Sequence, residues 1–211
     1  MDNPAIPLAQ RFRGYLPVIV DIETAGFNPK KNALLEIAAV IVEINSQHQL
    51  EVTERYTTHV VPFKNSELDP AALKFNGIDP HHPFRMAIDE KEALELLFKP
   101  IKLAVKRNEC SRAILVGHNP AFDIGFLNAA IHRTQIKRSP FHPFSTFDTA
   151  TLGGLAYQQT VLAKIARAAG LDWDNEKAHS ALYDAEKTAE LFCKIINRWH
   201  YFEAKEIQLN Q

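Results

Sequence analysis

Two acids close an apolar run near the start of the chain. In PVIVDIETAGFNP, residues 17–29, only Ile22 separates Asp21 from Glu23. Residues i and i+2 of a strand point to the same face, so the two carboxylates would stand side by side and repel unless a cation or a proton lies between them. The alternative is a solvated strand end entering a turn, since Gly26 and Pro29 follow. Two more acids could join the pair: Asp123 in GHNPAFD, and Asp184, five residues after His179 in HSALYDAE. Each has a plain structural alternative, Asp123 as a first-turn acid favoured by the helix dipole and Asp184 as an exposed helical acid. Four carboxylates without a cysteine or histidine cluster suit hard cations such as Mg²⁺ or Mn²⁺. Two such ions about 3.5–4 Å apart can hold both the attacking and the leaving oxygen of an in-line phosphoryl displacement.

His179 would stand just before the helix that carries Asp184. An offset of five residues turns about 140° around a helix, so the two do not share a face, but from a loop the imidazole could swing over the acids. Its unperturbed pKa of about 6.5 suits a base that takes a proton from water at neutral pH. The alternative is a surface histidine, one among nine.

These residues need elements to hold them. The β-branched runs 15–22 and 34–44 predict buried strands, and 55–63 predicts a third. Residues 66–78 predict a short helix with Pro70 in its first turn and Gly77 at its end. Residues 89–107 predict a longer helix that Pro100 should kink or break. Residues 113–117 predict a strand. Asn119 and Pro120 then read as an N-cap and first helical position for a helix reaching Arg133. A short strand at 144–149, a helix at 160–170 closed by Gly170 and a final amphipathic helix at 180–199 complete the pattern. Asp148 reads as the N-cap of a helical stretch. A meander of strands followed by alternating helices and strands predicts one α/β domain over residues 1–211.

Composition narrows the classes. Of 211 residues, 46% are hydrophobic and 23% charged, as in ordinary globular proteins, and the formal net charge is −1. Any nucleic-acid surface must then be a local basic patch. Two distant cysteines, Cys110 and Cys193, argue against a zinc site and a disulfide scaffold and fit a reducing cytoplasm. With no apolar leader and no apolar run of membrane-spanning length, a soluble cytoplasmic protein is expected.

VDIETAGFNP, GHNPAFD and AHSALYDAEKTA, in that order, resemble the three motifs of the DEDDh family of 3′→5′ exonucleases. The related tyrosine-type enzymes need Tyr four residues before the last Asp; that position is Ser180, so the histidine type fits. The likeness runs from RFRGYLPVIVDIETAGFN through LLEIAA, FNGIDP and RSPFHPFSTFDTA to HSALYDAEKTAELFCKIINRW. It is strongest to members that trim 3′ ends of tRNA and other stable RNAs and also degrade single-stranded DNA ends. The resemblance implies an RNase H-like fold, a mixed central β-sheet flanked by α-helices. It implies two Mg²⁺ ions per subunit, with Mn²⁺ able to substitute, and a homodimer. Asp21, Glu23, Asp123 and Asp184 would be metal ligands and His179 the general base.

The same resemblance makes Phe27, Phe75, Phe122 and Phe144 stacking residues for terminal bases. Stacking is sequence-tolerant, because every base has a π-face, and it requires an unpaired end. With 13 Phe in the chain most must be core, and Phe141 and Phe147 are expected there. Arg11, Arg13, Lys106, Arg112 and Lys137 would form a basic patch that feeds RNA into the partner subunit's site, with strong salt dependence; each alone reads as a solvated charge. One departure stands out. Ala71 occupies the position where these members carry a glutamate that contacts the terminal base, so the resemblance does not settle whether their slow removal of 3′ cytosines holds for this chain. The alternatives are a proofreading or oligoribonuclease-type exonuclease with the same site, a binding module that has lost catalysis, and a small-molecule metal phosphatase. No motif residue is missing, as the second would require, and the third needs no stacking rings or basic track.

Overall fold

The computed structural model describes residues 6–209, with side chains over 6–199. Among these, five strands form one sheet of order β3-β2-β1-β4-β5. Strands β1 (Tyr15–Thr24), β2 (Leu34–Ile44) and β3 (Leu50–His59) make an antiparallel meander, and β4 (Arg112–Gly117) and β5 (Phe141–Asp148) run parallel to β1. β1 is therefore central. Its apolar run is buried because both sheet faces are covered, which explains why it does not alternate. Asp21 and Glu23 lie where the central strand leaves this cover. The helices among the described residues are α1 (Pro70–Asn76), α2 (Glu90–Arg107), α3 (Ala121–Thr134), α4 (Thr149–Tyr157), α5 (Leu162–Ala168) and α6 (Ala181–Leu209). None is long and apolar enough to cross a membrane.

Several boundaries differ from the sequence expectation for local reasons. β3 starts at Leu50 rather than residue 55, because the turn at 45–49 lets it pair with β2 along its length. β5 starts at Phe141, where the Ala113 N–H bonds to the Pro140 carbonyl. α2 runs as one helix through Pro100; the carbonyl that loses its partner belongs to the exposed Leu96, where water can replace it. Asn119 is not a side-chain cap. Its backbone is left-handed (φ 63°), Pro120 stands at the cap position, and the Asn119 N–H donates to the Asp148 carboxylate at 3.0 Å. Asp148 does cap α4, accepting from the Ala150 and Thr151 N–H groups. Phe141 lies in the core and Phe147 packs against it.

A buried ion pair fastens the site's surroundings. Arg133 of α3 donates to Glu90 of α2 at 2.6 and 3.0 Å and to the Pro29 carbonyl at 2.7 Å, and its guanidinium lies 4.1 Å from the Phe63 ring centroid. One side chain thus ties both helices to the loop that follows β1. Removing a single partner leaves Glu90 buried and uncompensated. Arg133→Met is expected to destabilise the fold by about 3 kcal/mol, read as a lower urea midpoint; an unchanged midpoint would contradict this account.

Candidate active site

Asp21 and Glu23 share the same face of β1, and Asp184 in the first turn of α6 meets them there. One carboxylate oxygen from each of the three lies within 4.8 Å of the others. Asp123 stands beside this trio. It is 4% exposed in the first turn of α3 and within the electrostatic reach of Asp21. Gly117 leaves room for it: a Cβ there would come 3.4 Å from Asp123 Oδ2 and 3.1 Å from Pro120 Cβ.

The electrostatics register the crowding. Burial, then Asp123, Asp184 and Glu23, raise the Asp21 carboxyl well above its usual range. Burial, then Asp184 and Glu36, push Glu23 up to about 8. Burial raises Asp123 to about 7, against two backbone hydrogen bonds that favour its charged form. Burial also raises Asp184. The Asp184 Oδ2 atom accepts from the His179 N–H at 3.1 Å, whereas its Oδ1 is buried without a hydrogen-bond partner. Converging oxygen donors, one of them orphaned, fit a divalent cation in place of the missing protons, and the cluster could bind such an ion.

His179 follows the loop after α5 and precedes α6, with a left-handed backbone (φ 68°) and an exposed ring 4.4 Å from that of Phe75. Phe75, Phe27 and Phe122 line a cleft of about 370 Å³ beside Glu23, together with Asp69, Ala71 and Asn76. Phe27 is 82% exposed and Phe75 70%. Phe122 is half-buried and packs edge-on to Phe27, with ring centroids 6.1 Å apart. Gly26 sets the Phe27 loop: its φ is 145°, and a Cβ would lie 2.5 Å from Asn32 Cγ. That asparagine in turn holds the Asn28 N–H and the Glu67 carbonyl. Phe144 does not line the cleft. It is 78% exposed on edge strand β5 and contacts His142, which stacks on Tyr15 under Arg13.

The basic residues divide in the same way. Lys106 and Lys137 line one groove with Lys99, Lys102 and Arg138. Arg112 lines an adjoining pocket that shares Lys102, and it pairs with Tyr15 across β1 and β4. Arg11 lies at the N-terminal turns, where its Nε donates to the Ile6 carbonyl at 2.8 Å. On the other side of the acids, a cleft of about 630 Å³ is lined by Asp21, Asp184, His179, His118, Thr160 and Trp173 among others. His118 Nε2 faces the Thr160 carbonyl at 2.9 Å, so it carries the proton, and burial lowers the ring's pKa. Its Nδ1 lies 3.1 Å from the Thr149 hydroxyl, which donates to the Gly117 carbonyl.

Sequence reasoning left out Glu36, a fifth acid. It stands directly opposite Glu23 in the β1–β2 register, with His59 Nδ1 3.9 Å away. Only the pairing register reveals it. Tyr183 and His118 were equally silent, because their roles depend on loops that fold back.

Residues 18–192 match the RNase T exonuclease family. The chain is 56% identical over 193 residues to ribonuclease T of Marinobacter nauticus, covering 92% of this chain and 87% of that one. The chain belongs to the RNase T exonuclease family. It is a 3′→5′ exonuclease of nucleic acid, a hydrolase. Solved relatives carry the same RNase H-like fold. The nuclease domain of 3′hExo, a DEDDh family member bound to rAMP, superposes with a TM-score of 0.67 at 21% identity, over 85% of this chain and 90% of that one. The zinc-bound E. coli exonuclease I complex with single-stranded DNA superposes at 0.67 and 18% identity, over 87% of this chain; the match spans only 41% of exonuclease I.

The raised carboxyls make metal-free stability fall with pH. A folded-state pKa above the unfolded value means that the native state binds more protons between the two, so unfolding becomes easier as pH rises through that window. With Glu23 at about 8 and Asp123 at about 7, against ordinary values of 4.5 and 3.8, the chelated protein's thermal midpoint is expected to drop as pH rises from about 5 to about 8. Millimolar Mn²⁺ should raise it more at the upper end, where no proton competes. A midpoint at pH 8 indifferent to the cation would contradict the site.

Proposed function

We propose that this exonuclease trims unpaired 3′ ends of tRNA, rRNA and other stable RNA precursors, accepts single-stranded DNA ends, and releases nucleoside 5′-monophosphates. The observation that carries this reading is the convergence of Asp21, Glu23 and Asp184 between an exposed histidine and a cleft walled by phenylalanines. Asp21, Glu23 and Asp184 would hold one Mg²⁺, and Asp21 with Asp123 a second; Mn²⁺ has the same ligand preference. Bound there, such ions lower the pKa of water and neutralise charge on the reacting phosphate.

The chain's own groups supply the rest. Phe27, Phe75 and Phe122 clasp the terminal base, which only an unpaired nucleotide can offer. His179 takes the proton of the attacking water. Water adds to the last phosphorus, the bond to the preceding 3′ oxygen breaks, and the terminal nucleotide leaves with its 5′ phosphate. Ala71 offers no carboxylate to the terminal base, and the neighbouring Asp69 is engaged by the Ala71 N–H at 2.8 Å, so discrimination against 3′ cytosine should be weakened. The groove at Lys106 and Lys137, with Arg13, Arg112 and the exposed Phe144, forms a track for the upstream strand. In a homodimer it serves the site of the other copy. Two free cysteines agree with a cytoplasmic location.

The test is an RNA stem with a short, labelled, single-stranded 3′ tail. Stepwise loss from the 3′ end that stops near the stem is expected with Mg²⁺, with none after chelation or in Asp21→Asn. Tight binding without loss in Mg²⁺ or Mn²⁺ would defeat the proposal. Phe27→Ala should weaken tail binding, measured with Ca²⁺, by about 1–3 kcal/mol; unchanged affinity would remove that ring from the base contact.

A further inference from the structure

His179 belongs to a segment without regular structure, residues 169–180 between α5 and α6. Such a segment keeps one conformation only where other groups fasten it. Three attachments hold this one. The Asp174 N–H donates to the Tyr183 hydroxyl at 2.6 Å. The Trp173 ring meets the Tyr183 ring edge-on, with centroids 5.5 Å apart, and Trp173 Nε1 donates to Asn175 Oδ1, which also accepts from Arg167 of α5. The His179 N–H donates to Asp184 Oδ2 at 3.1 Å.

All three end on consecutive residues of α6, Tyr183 and Asp184. Tyr183 is itself steadied by the Lys187 ammonium, 5.7 Å from its ring centroid, and Lys187 is paired with Glu190 at 2.9 Å. We infer that Tyr183 is a positioning residue for His179. Its phenol oxygen, through the Asp174 N–H, pins the loop to the turn of helix that carries Asp184 and keeps the imidazole beside the acid cluster. The inference rests on the reading of His179 as the base. Tyr183 lines neither of the two clefts that flank the acids.

Tyr183→Phe isolates the contact, since it keeps the ring against Trp173 and Lys187 and removes only the acceptor. One lost neutral hydrogen bond corresponds to a change of about fivefold. In the metal-free protein, amide exchange across residues 173–179 should therefore accelerate about fivefold. On the labelled RNA tail, kcat should fall by a similar factor with KM unchanged. In a His179→Ala background the same substitution should cost nothing further, because groups that act through one another are not additive.

The outcomes separate cleanly. Unchanged exchange and kcat, or a loss that multiplies fully with that of His179→Ala, would overturn the positioning role and leave the catalytic reading intact. A His179→Ala enzyme at full rate would instead defeat the assignment of His179, on which the inference stands.

Discussion

The structure depends on keeping buried and half-buried carboxylates together against their own repulsion. Two unit charges 4 Å apart at an effective dielectric of 20 repel by about 4 kcal/mol, and here Asp21 feels Asp123, Asp184, Glu23 and Glu36 at once. No local preference would collect these groups. They are collected because each is anchored elsewhere: two on a strand whose remainder is core, one in the first turn of α3, one in the first turn of α6, and Glu36 opposite Glu23 through the strand register. The apolar cluster beneath the sheet offsets the cost, and the acids respond by holding protons to unusually high pH. A divalent cation relieves the same strain, so cation affinity and metal-free strain have one origin.

That constraint explains the choice of anchors. A site built on β1, α3 and α6 moves little, and the positions of its oxygens are set by packed elements rather than loops. The surrounding groups perform a second task. Arg133 ties α2 and α3 to the loop after β1. Asn32 and Gly26 shape the turn that presents Phe27. His118, after β4, reaches the Thr160 carbonyl across the second cleft. The two clefts differ accordingly, one aromatic beside Glu23 and the other more polar beside Asp184.

What the sequence revealed follows the range of the forces involved. The β1 and β2 runs were legible because burial on both faces writes itself as unbroken β-branched residues, and α6 because one apolar stripe repeats with the helical period. The family motifs marked the four acids and His179 before any geometry was available. Register is a long-range property, so Glu36, inside the LLEIAA stretch, could be read as an acid on the second strand but not as the residue opposite Glu23. Asn119 followed the rule for a cap, yet the Asp148 carboxylate, 29 residues on, took its N–H instead. Phe144 shared the residue type of the cleft phenylalanines, but the extra length of β5 places it against His142. Each discrepancy marks a point where a partner distant in the chain prevailed over a local rule.

The proposed base is built on the opposite principle from the acids. His179 is exposed, lies on a loop and has a left-handed backbone, a conformation that costs a residue with a side chain of order 1 kcal/mol or more. Glycine would remove that cost together with the imidazole. The strain persists because the loop is held at both ends, by Asp174 on Tyr183 and by the His179 N–H on Asp184. Exposure at this position has a chemical use. A histidine locked among the acids would occupy the space that the attacking water and the terminal phosphate need. One that rests against Phe75 at the edge of the same cleft leaves the acids accessible and stays beside them. Rigid elements therefore carry the groups that must hold charge in place, and a tethered loop carries the group that must exchange a proton and withdraw.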